Sequence, residues 1–455
     1  VEGKTRGDEA VTREMKLGYG IGDFGANLLF QSVTLYLLFY FTDILAIPAA
    51  TAGTIFLAAK LWDAVTDPVM GNISDRTRSR FGAKRIYLLI GAVPLGLSFF
   101  LLFYGPDLTG SAAVLYSLLV FIFFCTMYTV VNIPYGSLTA VMSRDSQVRA
   151  EITGYRMAFA LLGTLVVAGV TKPVVGLFTS QALGFRMVGL FFGAAAAVFT
   201  LITFFSTAER LKEDRDPASS LKRDLAGVVK NRPFLVLTAA TLLQYIALGV
   251  IASMVNYFFK YVLPMEYFIP LAFLCLFVTA IAVMPLWVYL SKKFGKIAVF
   301  DLGMIILAAA LILLYFIRSA NIPVLIPVLV LAGVGLSTVY LSPWSMVPDT
   351  VEYSEWKLGS RREGTLYGVF YFAQKLAVAL AGFICGRGLS VSGYVPNAVQ
   401  SPGAEQGIRM LMVFVPVIII AAALLVIRFY TIKAGFHEQM LREIEAGRIA
   451  ETEEV

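Results

Sequence analysis

Twelve runs of mostly apolar residues, each about 20 residues or longer, follow one another along the 455-residue chain. They lie at 17–45, 51–73, 86–105, 112–141, 152–179, 185–206, 233–262, 267–290, 298–318, 322–346, 364–390 and 405–431. Each is long enough to cross the hydrocarbon of a bilayer as a helix. Inside lipid a helix satisfies its own backbone polar groups, whereas an open sheet or loop does not. The expectation is an all-α polytopic membrane protein with twelve transmembrane helices. Composition agrees, with 58% of residues hydrophobic and 15% charged, against roughly 45–50% and 25% in soluble domains.

The longest polar stretch falls between the sixth and seventh runs. It divides the chain into an N-terminal tail (1–16), a first six-helix bundle (17–206), a linker (207–232), a second six-helix bundle (233–431) and a C-terminal tail (432–455). A short amphipathic helix is expected near 219–230 within the linker. Basic residues collect in alternate loops: Arg76, Arg78, Arg80, Lys84 and Arg85 after the second run, the linker, SKKFGK at 291–296, and Lys357, Arg361 and Arg362. The intervening loops DILAIPAAT and YGPDLTGS hold no Lys or Arg. Lys/Arg bias marks the cytoplasmic side, so both termini are expected there, in the inner or plasma membrane. The halves also echo each other. FYFTDIL (39–45) ends the first run and NYFFKYVL (256–263) the seventh; RFGAKR follows the second and KFGKIA the eighth. Six-span repeats of this kind are common in secondary transporters.

Several chemistries are disfavoured. The three cysteines, Cys125, Cys275 and Cys385, sit inside apolar runs and read as buried residues rather than a disulfide framework. The single histidine, His437, lies in the charged tail and speaks against a His-based metal site or catalytic triad. The net charge of +7 follows from the loop pattern and needs no nucleic acid. GYGIGDFG contains a GxGxxG-like string, yet it lies in a membrane helix with no preceding strand, which argues against a dinucleotide site. The first residues are polar, and no cleavable signal peptide is expected from them.

The candidate residues are polar groups inside apolar runs. Asp63 and Asp67, in KLWDAVTDPVMG, stand four apart on one helix face. Two carboxylates at that spacing either raise a pKa or invite a cation between them, and both outcomes suit ion coupling. Asp23 lies deep in the first run with Asn27 one turn later, among glycines expected to serve close helix packing. Tyr128 and Asn132 share a face of the fourth run, where Pro134 frees a backbone carbonyl. Arg156 enters the fifth run, either turning inward or snorkelling to the surface. Lys375 lies too deep in the eleventh run to snorkel easily, so it needs an acidic partner, Asp63 or Asp67 among them, or an anionic ligand. The segment 342–364 carries Asp349, Glu352 and Glu355 ahead of Lys357, Arg361 and Arg362, and reads as a salt-bridged gate or brace.

These residues carry a resemblance. The loop at 71–85, containing DRTRSRFG and preceded by WDAVTDPVMG, resembles the conserved loop of the major facilitator superfamily in the form seen in glycoside–pentoside–hexuronide:cation symporters. NIPYGSL, PDTVEYSEWK and GYVPN (393–397) match the same pattern, so the likeness covers nearly the whole chain. It implies two six-helix bundles working by alternating access. It implies that Asp63 and Asp67 match cation-site carboxylates, that Tyr128 and Arg156 match sugar-contacting positions, and that Lys375 matches a lysine linked to both cation and sugar. Beside it, the reading of the residues adds Asp23, Asn27 and Asn132 as substrate-binding candidates and Asp75, Arg76, Asp349, Glu352 and Arg362 as gating or inter-bundle candidates. Two departures stand out: Asn27 and Asn132 are amides where melibiose permeases have carboxylates, and Gly136 replaces a sugar-stacking tryptophan.

The resulting expectation is a monomeric symporter of a sugar, neutral or anionic, that uses no organic cofactor and couples to H+ or Na+. A proton is favoured, because a strong sodium site at Asp63 and Asp67 would want more hard oxygens. A lipid or lysolipid carrier on the same fold is the alternative. A remote one is an intramembrane prenyltransferase, for which the chain lacks a second aspartate-rich motif inside a run.

Overall fold

The computed structural model describes residues 11–106, 108–143, 146–209, 227–358 and 363–453. Among them there is no strand. The long helices are α1 (Arg13–Ser32), α2 (Ala49–Arg76), α3 (Arg85–Tyr104), α4 (Gly110–Met142), α5 (Ser146–Gly176) and α6 (Gln181–Ser206). They continue with α7 (Arg232–Tyr257), α8 (Ile269–Phe294), α9 (Lys296–Phe316), α10 (Ile322–Leu358), α11 (Glu363–Val391), α12 (Pro402–Ile427) and α13 (Ala434–Glu453). The ten from α3 to α12 are long and apolar enough to cross a membrane. The other two of the twelve expected spans are α1, which carries Asp23, and α2, which carries Lys60, Asp63 and Asp67. Most of the linker, with the greater part of the short helix expected there, lies outside the described residues.

The chain forms two compact units. One gathers α1–α6 with the short segments Glu266–Leu271 and Leu389–Gln400; the other gathers α7–α13 apart from those segments. In the first, α1 packs on α5 and α6, α3 on α6 and α4, and α2 on α4. Small residues permit this. A Cβ on Gly25 would stand 3.2 Å from the Ala196 backbone, and one on Gly163 2.8 Å from the Phe24 carbonyl. α3 and α6 approach closely where Gly96 and Gly193 face each other's carbonyl oxygens, each 2.5 Å from where a Cβ would sit. Gly193 follows Gly189 by one turn, the small-xxx-small pattern of membrane helix contacts. Gly96→Val would force the two backbones apart, since neither can yield locally. It is expected to cost about 1–3 kcal/mol, read as a lower unfolding midpoint of the detergent-solubilised protein.

The repeated motifs fold alike. Tyr40–Ile44 and Phe258–Val262 are both π-helical turns. Leu45 N–H donates to the Tyr40 carbonyl and Ile47 to that of Phe41; Leu263 donates to Phe258 and Met265 to Phe259, repeating the pattern. The glycines of RFGAKR and KFGKIA also match, Gly82 at φ +101° and Gly295 at φ +87°, values that favour glycine. In the first loop the Glu209 carboxylate accepts the backbone N–H groups of Ala83, Lys84 and Arg85 at 2.7–2.8 Å. A negative charge at the N-terminus of α3 is favoured by the helix dipole.

One boundary differs from expectation. The tenth run ends at 346 by hydropathy, yet α10 continues to Leu358 through Pro343 and Pro348. The PDTVEYSEWK segment is therefore the end of a helix, which sets Asp349 and Glu352 one turn apart on one face.

Candidate functional site

In the first unit α2 and α4 build a charged cluster in an otherwise apolar setting. Helical spacing aligns Lys60, Asp63 and Asp67 along one side of α2, and α4 supplies Thr129 opposite. Asp63 is fully buried, Lys60 is 4% exposed, and Asp67 is half-buried. Lys60 Nζ stands 3.5 Å from Asp63 Oδ2. The same ammonium lies 5.8 Å from the ring centres of Phe30 and Phe121. Thr129 Oγ1 lies 2.8 Å from Asp63 Oδ1 and 2.8 Å from Asp67 Oδ1. A hydroxyl has a single hydrogen, which it donates to one of these oxygens or shares between both. The same two contacts also suit a pair in which one carboxyl carries a proton and donates it to Oγ1.

A second cluster lies on α1, α4 and α5. Arg156 turns inward instead of snorkelling, and its Nε donates to Asp23 Oδ2 at 2.7 Å. The guanidinium also lies 5.0 Å from the ring centre of Tyr135 and 5.6 Å from that of Tyr19. Those two rings are clasped, with centroids 4.6 Å apart. The Tyr19 hydroxyl donates to the Tyr135 carbonyl and the Tyr135 hydroxyl to the Tyr19 carbonyl, both at 2.7 Å. Asn27 spends its amide N–H on the Asp23 carbonyl at 2.9 Å. Tyr128 is buried and stacks on Phe30, centroids 6.3 Å apart. Asn132 lines a cavity of about 10 Å³ with Gly22, Tyr128, Tyr135 and Thr203, room for about one water and far too little for a sugar.

Of the positions singled out from sequence, Asp23 and Asp63 are buried and Asp67 and Arg156 half-buried; Lys60 and Thr129 were not singled out. Lys60 sits one turn before Asp63 and could have been found by the same spacing; a threonine on another helix gives no local signal. Lys375 lies half-buried on α11 in the second unit. Arg76 is exposed at the end of α2, while Arg362 and the side chain of Asp75 lie outside the described residues. In the brace, Asp349 is held by Lys296 of α9, at 2.7 and 2.8 Å from its two oxygens, and Glu352 by His437 of α13 at 2.5 Å. The described partners of these two carboxylates thus come from other helices, rather than from the basic residues that follow in the same segment.

The first unit also explains two motifs whose sequence signal was only a likeness. In FTDIL the Asp43 carboxylate accepts the Tyr394 hydroxyl, and the Asp43 carbonyl accepts the Asn397 amide, both donors belonging to GYVPN. In the same unit, Lys172 Nζ meets Glu266 Oε1 at 2.6 Å and lies 4.3 Å from the Phe39 ring centre.

The profile of the family described as MFS/sugar transport protein matches residues 18–434. An Escherichia coli (strain K12) protein named for sulfoquinovose import is 32% identical over 94% of this chain and 93% of its own. The isoprimeverose transporter of Lactiplantibacillus pentosus is 29% identical over 94% of this chain and 91% of its own. The crystal structure of the nucleoside transporter NupG superposes with a TM-score of 0.65 at 12% identity, covering 91% of this chain and 99% of that one.

Proposed function

The chain belongs to the MFS/sugar transport protein family, the glycoside–pentoside–hexuronide:cation symporters of the major facilitator superfamily, and on that premise we propose that it carries a neutral glycoside together with a proton. It is a multi-pass membrane transporter rather than an enzyme. Its expected seat is the inner membrane with both termini cytoplasmic, as a monomer.

The observation that supports proton coupling is the Thr129 bridge. Its two 2.8 Å contacts to Asp63 and Asp67 fit a carboxyl pair that shares one added proton. Lys60 argues in the same direction, because it already supplies a positive charge 3.5 Å from Asp63. A sodium ion entering beside that ammonium would meet repulsion of about 4 kcal/mol at 4 Å separation and an effective dielectric of 20. Lys375 keeps the role that the family resemblance implies, a cation linked to ion and sugar binding.

A neutral cargo is supported by the Arg156–Asp23 pair. A guanidinium already engaged by a carboxylate at 2.7 Å offers little net charge to an anionic sugar. The polar clusters can still hydrogen-bond sugar hydroxyls. The relative named for isoprimeverose carries an uncharged disaccharide by its name; the one named for sulfoquinovose carries an anionic sugar. The test is uptake of labelled neutral glycosides, hexuronates and sulfonated sugars into proteoliposomes under separately imposed proton and sodium gradients. Accumulation of a neutral glycoside under a proton gradient alone is the expected result; preferential uptake of an anionic sugar, or drive by sodium alone, overturns the corresponding part.

Lys60→Gln gives a sharper test of ion choice. Removing the resident ammonium should admit sodium, so a variant stimulated by sodium is expected where the parent is indifferent to it. A parent that already responds to sodium would remove Lys60 as the deciding residue.

A further inference from the structure

The second unit contains a group of side chains that the transport reading uses only as a brace. The end of α10 presents Asp349 and Glu352 on one face, and the tail helix α13 brings His437 against them. His437 Nε2 lies 2.5 Å from Glu352 Oε2 and 3.6 Å from Asp349 Oδ1. One donor atom from each of the three residues can be chosen so that all lie within 4.8 Å of one another. Tyr430, on the connector into α13, adds an independent observation. It is 3% exposed, and its hydroxyl has no hydrogen-bond partner among the described residues. Burial, reinforced by the nearby carboxylates of Asp349 and Glu352, pushes that phenol well above its usual range, so it stays a neutral hydroxyl.

We propose that Asp349, Glu352 and His437 form a binding site for a zinc-class divalent metal ion, which staples α13 to the end of α10. One imidazole and two carboxylates are a borderline N/O donor set. It suits zinc and its neighbours, whereas magnesium and calcium prefer oxygen alone. Zinc bonds of about 2.0–2.2 Å place donors about 3.3–3.5 Å apart on a tetrahedral ion. The His437–Asp349 distance of 3.6 Å already fits. The His437–Glu352 distance of 2.5 Å must open, a change an exchange of hydrogen bond for metal makes naturally. Lys296 donates to both oxygens of Asp349, so a metal must displace the ammonium from at least one of them and bind against its charge. Around the site, Trp356 Nε1 donates to Glu443 Oε2 at 2.7 Å and its ring meets Phe436 edge-on at 5.5 Å, so α13 is already seated when the ion arrives.

A single histidine in the whole sequence gives the site an unambiguous test. The full-length, tag-free protein in detergent is titrated with zinc chloride against a chelating indicator at neutral pH, with magnesium chloride as the control. The expected result is one zinc bound per chain with micromolar affinity and no competition by magnesium. His437→Ala should weaken zinc at least tenfold, and His437→Cys, which restores a zinc ligand, should recover it. Glu352→Gln should weaken it as well. Absence of zinc binding by the parent, or equal binding by His437→Ala, overturns the assignment. So does a His437→Cys variant that is folded by its unfolding midpoint and still fails to bind.

Discussion

Asp63→Asn is expected to abolish sugar accumulation while leaving sugar exchange intact. With a proton moving inward, a membrane potential of 100 mV supplies about 2.3 kcal/mol per charge, enough for up to about 50-fold accumulation. The variant should equilibrate its sugar near a ratio of one. The reason is local. Asparagine keeps the shape of the fully buried Asp63 and can still accept the Thr129 hydroxyl, but it takes the carboxylate away from the buried Lys60 ammonium, so a lower unfolding midpoint is expected as well. It cannot take up and release a proton. Asp67→Asn should have a smaller effect on accumulation, because Asp67 is half-buried and Asp63 remains in place beside Lys60. The measurement is proteoliposome uptake under a valinomycin-set potential, beside counterflow on the same vesicles. A variant that still concentrates sugar would remove Asp63 from the coupling step. One that loses counterflow as well would point to a role in binding rather than coupling.

The second large effect is expected at Arg156 and Asp23. Breaking a buried ion pair by removing one partner leaves an uncompensated charge and costs about 3–5 kcal/mol. Asp23→Ala and Arg156→Met, taken singly, should each reduce transport by two orders of magnitude or more and lower the unfolding midpoint. The double variant should recover most of the stability, because no unpaired charge remains beside the clasped rings of Tyr19 and Tyr135. It should not recover transport if the pair also orients sugar hydroxyls. Stability restored with transport still lost separates the binding role from a purely structural one. Restoration of both would make the pair a brace of α1 against α5.

The fold was legible because its cause is local. A bilayer demands a run of apolar residues for each crossing, and such runs can be counted along the chain. Asp23, Asp63, Asp67 and Arg156 could be singled out for the same reason, since a charge inside an apolar run stands out. The extent of α10 was less so. Hydropathy falls where the carboxylates begin, but helical hydrogen bonding continues past that point to Leu358.

Partnership was not legible, because it joins residues far apart in the chain. Nothing near Asp23 announces Arg156, which lies 133 positions away, and nothing near Asp43 announces Tyr394, 351 positions away. The sequence alone therefore determined a membrane-spanning helical transporter, the spacing that aligns Asp63 with Asp67, and the family pattern of its loops. Tertiary packing alone decided that Thr129 sits between those two carboxylates and that Arg156 is spent on Asp23. It also decided that the lone histidine of the tail meets two carboxylates of α10. The physical reason is that burial follows from composition within one run, whereas a hydrogen bond requires two specific atoms within about 3 Å of each other, and only the folded helices bring them there.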